Sequence, residues 1–372
     1  MKKCILITMA LLLSLSLLTY KFYNEDSIEE VPTKNIKQSS MLSLMLETEY
    51  ESGQYKISSS SSWPTTGYKF NKELSKCENG GSLSWDGTNK QVVFSGNISD
   101  KCYVYFDAIM PIFLADYIIS QYTGIQGENG IYYHDSTLTN GAGDNSYRYA
   151  GADVNNFICL GSSEATCPAD NLYRIIGVFG DNNHGLINQQ LVKVIKNISI
   201  GNLAWDSLAS NDWANASLNQ TLNSTFITDE LSEIKDKIVE VTWKVSGHNT
   251  SGVTAKTFYT VEITNTTKTH KNKIALMYVS DYGFAATPDY WTTNLNSYNS
   301  AAKNKDWLFI GDYEYFLSPD SSDAYGIWSM AGTGSVLNYV TESNAVRPSF
   351  YLNQSVQYIS GSGQESDPIR IN

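Results

Sequence analysis

The side chains of this sequence able to do chemistry or hold a ligand are its carboxylates, cysteines, histidines and tryptophans, and their spacing sorts them. Acidic residues gather at Asp281, Asp312, Glu314, Asp320 and Asp323, the type of group a glycosidase uses as an acid and base or nucleophile pair. Spacing alone does not give the separation such a pair needs, so they read as loop and strand-edge acids. No Gly-x-Ser-x-Gly stretch occurs to lift a serine nucleophile on a tight turn. The four histidines, His134, His184, His248 and His270, are scattered, and no cysteines have Cys-x2-Cys spacing. Disulfides are therefore expected in place of zinc, with no metal or cofactor. The acids and amides Asp144, Asn145, Asp153, Asn155 and Asn156 do not follow a calcium-loop pattern and read as turn formers, as do Asp181, Asn182 and Asn183.

Of five cysteines, Cys4 lies in an apolar run and serves as a small apolar side chain. The other four allow three connectivities. Local pairing is the simplest: Cys77 with Cys102 around a hairpin-like segment, and Cys159 with Cys167 around LGSSEAT. Such links contribute about 3.5 and about 2.5 kcal/mol in the loop-entropy treatment. Trp205, Trp213, Trp291, Trp307 and Trp328 offer flat faces that stack on sugar rings in concave sites, although large aromatics also fill cores. Arg347, beside Pro348, is a candidate for a ligand carboxylate or for a partly buried ion pair.

The first element that positions these residues is the run CILITMALLLSLSLLTY, Cys4 to Tyr20, which follows Lys2 and Lys3 and holds no charge or proline. As a helix it rises about 1.5 Å per residue, slightly short of a roughly 30 Å hydrocarbon core. Lysines before it and Glu25, Asp26, Glu29 and Glu30 after it predict an extracellular body. Bulky Leu18-Thr19-Tyr20 lacks a small-x-small exit, which favours an uncleaved anchor over a secreted, processed protein. Residues 1–23 are thus expected to be a single transmembrane helix at the cell membrane. Residues 24–62 read as a polar stalk, with Met41 to Glu49 forming a helical turn or two. Residues 63–107 form a small β-module with strands at Ser82–Trp85, Gln91–Ser95 and Cys102–Phe106 between Asp86-Gly87 and Gly96-Asn97 turns.

Residues 108–171 hold a helix, with Ile109, Phe113, Leu114, Tyr117 and Ile118 at helical spacing, and a long ordered loop. Residues 172–372 form the larger module. LYRIIGVFG and LINQQLVKVIKN predict a strand hairpin, SLNQTLNSTF and Asp229–Ile238 predict helices, and Val239–Val245 and Phe258–Ile263 predict strands. The chain of 372 residues is 42% apolar and 17% charged, rich in Tyr and Gly, so the body is globular. A formal net charge of −12 excludes a phosphate-binding stripe, and with it nucleic acid. The expected fold class is α+β and β-rich.

The run WPTTGYKFNKELSKCENGG, with LSWD and KCYVYFD after it, resembles a module of uncharacterised exported surface proteins of Gram-positive bacteria. The succession from YRIIGVF through SLNQTLN to WSMAG and VRPSFYL resembles a domain of unknown function in such proteins. More remotely, the arrangement is similar to the C-type-lectin-like and formylglycine-generating-enzyme fold. That oxidising chemistry needs a reactive cysteine pair in the catalytic half, and no cysteine follows Cys167. The resemblance implies a bacterial surface protein, and with the tryptophans it gives an adhesion role toward a glycan or host protein. A structural or pilus-like component, or a hydrolase of wall or glycan, is the alternative.

Overall fold

In a computed structural model, the structure describes residues 29–33, 42–65, 67–180, 184–186, 188–298, 300–311, 313–331 and 334–372. The chain divides between Pro111 and Ile112 into two units.

Among the described residues, the first unit has seven strands: β1 (Glu29–Thr33), β2 (Leu42–Glu47), β3 (Tyr55–Ile57), β4 (Tyr68–Cys77), β5 (Ser82–Asp86), β6 (Gln91–Gly96) and β7 (Cys102–Ala108). They form two sheets, β1-β6-β5 and β3-β2-β7-β4. Alternation along β7 buries Cys102, Val104 and Phe106, the period-2 pattern of a strand with one face in a core. These residues meet Leu44, Leu83, Val92 and Phe94 from both sheets, and Phe70 and Trp85 both meet the Phe106 ring edge-on. The Cys77–Cys102 disulfide joins β4 to β7 at a directly paired position. The expected stalk is corrected here. Leu42–Glu47 is a strand parallel to β7, from Leu42 opposite Cys102 to Leu46 opposite Phe106. Its Leu44 is core, because LSLMLE alternates at the strand period and finds a partner distant in sequence.

The second unit begins with β8 (Ile112–Phe113) and helix α1 (Leu114–Ser120), then β9 (Ile131–His134), β10 (Ser146–Tyr149), β11 (Phe157–Cys159), β12 (Leu172–Phe179), β13 (Leu191–Lys196) and β14 (Asn202–Leu203). Helix α2 runs as Ser217–Thr221, a π-helical stretch Leu222–Phe226 and Ile227–Asp229. After β15 (Val241–Lys244), helix α3 covers Ala255–Tyr259 and continues through Thr260–Thr264. Next come β16 (Thr269–Asn272), β17 (Ile274–Ala275) and helix α4 (Val279–Ala285). After two 3-10 turns and a short helix, Ser300–Lys303, come the strands β18 (Glu314–Pro319), β19 (Gly326–Ala331), β20 (Gly334–Tyr339), β21 (Asn344–Ala345), β22 (Ser349–Leu352), β23 (Gln357–Ser360) and β24 (Ile369–Ile371).

A ten-stranded sheet follows the order β17-β22-β13-β12-β11-β24-β23-β8, with β10 also on β12 and β9 on β10. A second sheet is β14-β21-β18-β19-β20, and β15 pairs with β16. Strand β12 has seven of its eight residues buried, as expected of a strand covered on both faces. Its register slips between Ile175 and Gly177. At Gly177 a Cβ would stand 2.2 Å from the Tyr147 carbonyl oxygen of β10, so this close approach requires glycine. The Cys159–Cys167 disulfide closes the loop after β11.

The body is β-rich and carries both expected disulfides. The transmembrane-helix expectation is corrected: no helix among the described residues is long and apolar enough to cross a membrane. The Cys4–Tyr20 run itself lies outside the described residues, as do Asp181, Asn182, Asn183 and Asp312. A third correction concerns Phe258–Ile263, expected as a strand and found in α3. Strand-favouring Thr257, Thr260 and Val261 invite the strand reading. The buried positions are instead Ala255, Phe258, Tyr259, Glu262 and Ile263, a helical stripe in which one member is an acid.

Candidate functional site

The tryptophans expected to face a ligand are core residues. Trp205, Trp213, Trp291, Trp307 and Trp328 are each at most 5% exposed, so none presents a free ring face to solvent. Four are held by indole donation to carbonyl oxygens: Trp205 to Phe316, Trp291 to Ala286, Trp307 to Tyr149 and Trp328 to His248. Arg347 is likewise internal. Its Nε and Nη2 grip the Glu314 carboxylate at 2.7 and 2.8 Å, and Nη2 also donates to the Leu308 carbonyl. The structural ion pair is therefore the alternative that holds for Arg347. Among the described residues, one grouping has metal-ligand proximity: Cys77, Asp100 and Cys102. Both of its sulfurs are joined in the disulfide.

Trp213 differs from the other four. Its Nε1 is buried without a hydrogen-bond partner, and the residue lines a cleft of about 630 Å³. Three segments build that cleft: the loop Asn211 to Ala214, the exit of β15 facing the entry of β16, and the turn between β18 and β19. Asn211 fastens the loop to the turn, its Nδ2 donating to the carbonyls of Asp320, Asp323 and Gly326 at 2.7–2.9 Å. Asp320 fixes the turn internally by accepting from the Ser322 N–H and hydroxyl. Gly247 lets the β15 exit lie on the turn, since a Cβ there would be 1.8 Å from the Pro319 carbonyl oxygen. The mouth carries the carboxylates Asp212 and Asp323, the hydroxyls Ser246 and Ser321, and the ammonium of Lys268. Of the acidic residues gathered in the sequence, Asp320 and Asp323 come here, whereas Glu314 and Asp281 are sealed in the core.

A second concentration of polar groups lies inside the core, on β10, β13, α3 and α4. Arg148 donates to Asp144 at 2.7 Å and faces Asp281 at 3.5 Å. Lys193 donates to Asp281 at 2.5 Å. Asp144 also takes Tyr259 Oη at 2.9 Å and lies 3.0 Å from His184 Nε2. Burial raises the cost of ionising Asp144, but Arg148 and His184 outweigh it and hold its pKa well below the usual carboxylate range. Burial pulls the Lys193 ammonium down, opposed by Asp281. Burial also keeps His134 neutral, its pKa lowered to about 3. Glu262 accepts from the N–H groups of Val279 and Ser280 at 3.0 and 3.1 Å and from the Ser318 hydroxyl. Burial nevertheless raises its pKa to about 7.

The acids and bases of this cluster are far apart in sequence, His134 and Asp281 by 147 positions, and their spacing does not mark them as a set. One signal existed: Lys193 interrupts the apolar strand LVKVIK, all of whose residues are buried. Comparison of the chain with protein-family models, curated proteins and solved structures gives no match.

Proposed function

We propose that this protein is an exported binding protein whose larger unit takes a polyhydroxylated ligand, a glycan, in the Asn211–Asp323 cleft. The observation that carries the reading is the cleft itself. It has the size of a small-ligand site, and its walls are carboxylate, hydroxyl, amide and ammonium groups, suited to trading hydrogen bonds with sugar hydroxyls. Two disulfides support an oxidising, extracellular setting. The resemblance to surface proteins of Gram-positive bacteria agrees with that setting.

Recognition in this reading rests on hydrogen bonding at the mouth rather than on the tryptophan stacking anticipated from sequence. The test is a glycan array with purified protein, followed by titration of any glycan bound. Ala214 and Ala324 line the cleft and are exposed, so Ala214→Trp and Ala324→Trp fill it without entering the core. Each is expected to weaken binding at least tenfold with unchanged thermal unfolding. Absence of binding to every glycan, or undiminished binding by both filled variants, defeats the reading and favours a structural surface component.

A further inference from the structure

We propose that Lys193 and Asp281 become joined by an intramolecular amide bond between Nζ and Cγ, a covalent cross-link between the central sheet and helix α4. Three observations carry this. The two groups already touch, Nζ lying 2.5 Å from Oδ2, and both side chains are fully removed from solvent. The amine is enclosed by rings, with centroids of Tyr278, Trp243, Tyr351 and Phe179 at 4.2, 5.2, 5.6 and 5.9 Å. Finally, Asp281 Oδ1 and Arg148 Nη1 face each other at 3.5 Å, and neither has a hydrogen-bond partner.

That arrangement holds an acyl carbon, a nucleophile and an oxyanion stabiliser together away from water. The Nζ proton passes along the existing hydrogen bond to Oδ2, leaving a neutral amine against a neutral acid. The Nζ lone pair attacks Cγ, and the negative charge gathers on Oδ1, facing the Arg148 guanidinium. The tetrahedral carbon then expels Oδ2, which takes a second amine proton and departs as water. One C–N bond forms and one C–O bond breaks. No oxidant or activating group is consumed. The ammonium and carboxylate charges vanish together, relieving the burial of two ions in an apolar core. The Tyr278 N–H, which donates to Oδ2 at 2.9 Å, and the first turn of α4, capped by Glu262, hold the carboxyl in place. Asp144 keeps Arg148 aimed through the 2.7 Å contact.

The test is mass spectrometry of the full chain, denatured and reduced, with a tryptic map. The expected result is a branched peptide containing both Lys193 and Asp281, lighter by one water than its two arms, and no cleavage after Lys193. In Lys193→Arg the arms separate at full mass. In Asp281→Asn the branched peptide forms with loss of ammonia in place of water, which identifies the acyl carbon as the one attacked. Wild-type protein that yields the two arms unjoined at full mass, even after prolonged incubation of the folded chain, overturns the proposal. This readout needs only the wild-type chain, so a poorly folding variant does not blunt it.

Discussion

Replacing Glu262 by Gln should change how stability depends on pH, and both sign and size follow from the site. The carboxyl is fully buried, accepts from two backbone N–H groups and a hydroxyl, and has its pKa raised by burial from 4.5 to about 7. In the unfolded chain it titrates near the ordinary value. Between those two values the native state holds a proton that the unfolded state has released, so stability falls as pH rises through the window and levels off above it. The shift corresponds to about 3 kcal/mol. Gln cannot ionise, and its own hydrogen-bonding mismatch is independent of pH. The wild-type minus variant stability should therefore drop by about 3 kcal/mol from pH 4.5 to pH 7.5. Urea unfolding followed by tryptophan fluorescence across that range measures it, and the difference cancels every other titrating group. A difference that stays flat, or rises with pH, refutes the reasoning.

Two further outcomes are expected. Arg347→Ala leaves the fully buried Glu314 carboxylate without the guanidinium that grips it with two nitrogens, a loss of about 3–5 kcal/mol in chemical denaturation; a loss below about 1 kcal/mol would place that pair outside the stability account. Gly177→Ala forces a Cβ toward the Tyr147 carbonyl oxygen and displaces β10 at Arg148, its register partner, lowering stability by about 3 kcal/mol, with loss of amide-exchange protection concentrated on β10 and β12.

What the sequence disclosed is local. The run LYRIIGVF reads as a covered strand because its residues are apolar in unbroken succession, and its antiparallel partner follows closely. The cysteine pairs are legible for the same reason, each closing a short segment. Pairings over long separations leave no such mark. Nothing in LSLMLE names β7 as its parallel neighbour, so it reads as stalk. The tryptophans announce aromatic area but not direction, and the core takes them. The Arg148, Lys193, Glu262 and Asp281 cluster is drawn from two strands and two helices; sheet order brings the two strands to either side of β12, and helix packing supplies the acids. The cleft escapes for another reason: it depends on Asn211 reaching three carbonyls about a hundred residues further along.

The place of β8 and β24 in the large sheet determines how this unit bears tension. Both pair with β23, so Ile112 and Ile371 flank the same residue, Tyr358, two strand spacings or about 10 Å apart. A pull applied at those two points aligns the line between them with the force, across the strands. The bonds on either side of β23 then open one after another instead of resisting in shear together. The load path is three strands wide, and the Lys193–Asp281 contact and the Asn211–Asp323 cleft both hang outside it. Under traction the edge peels first while the core keeps its shape.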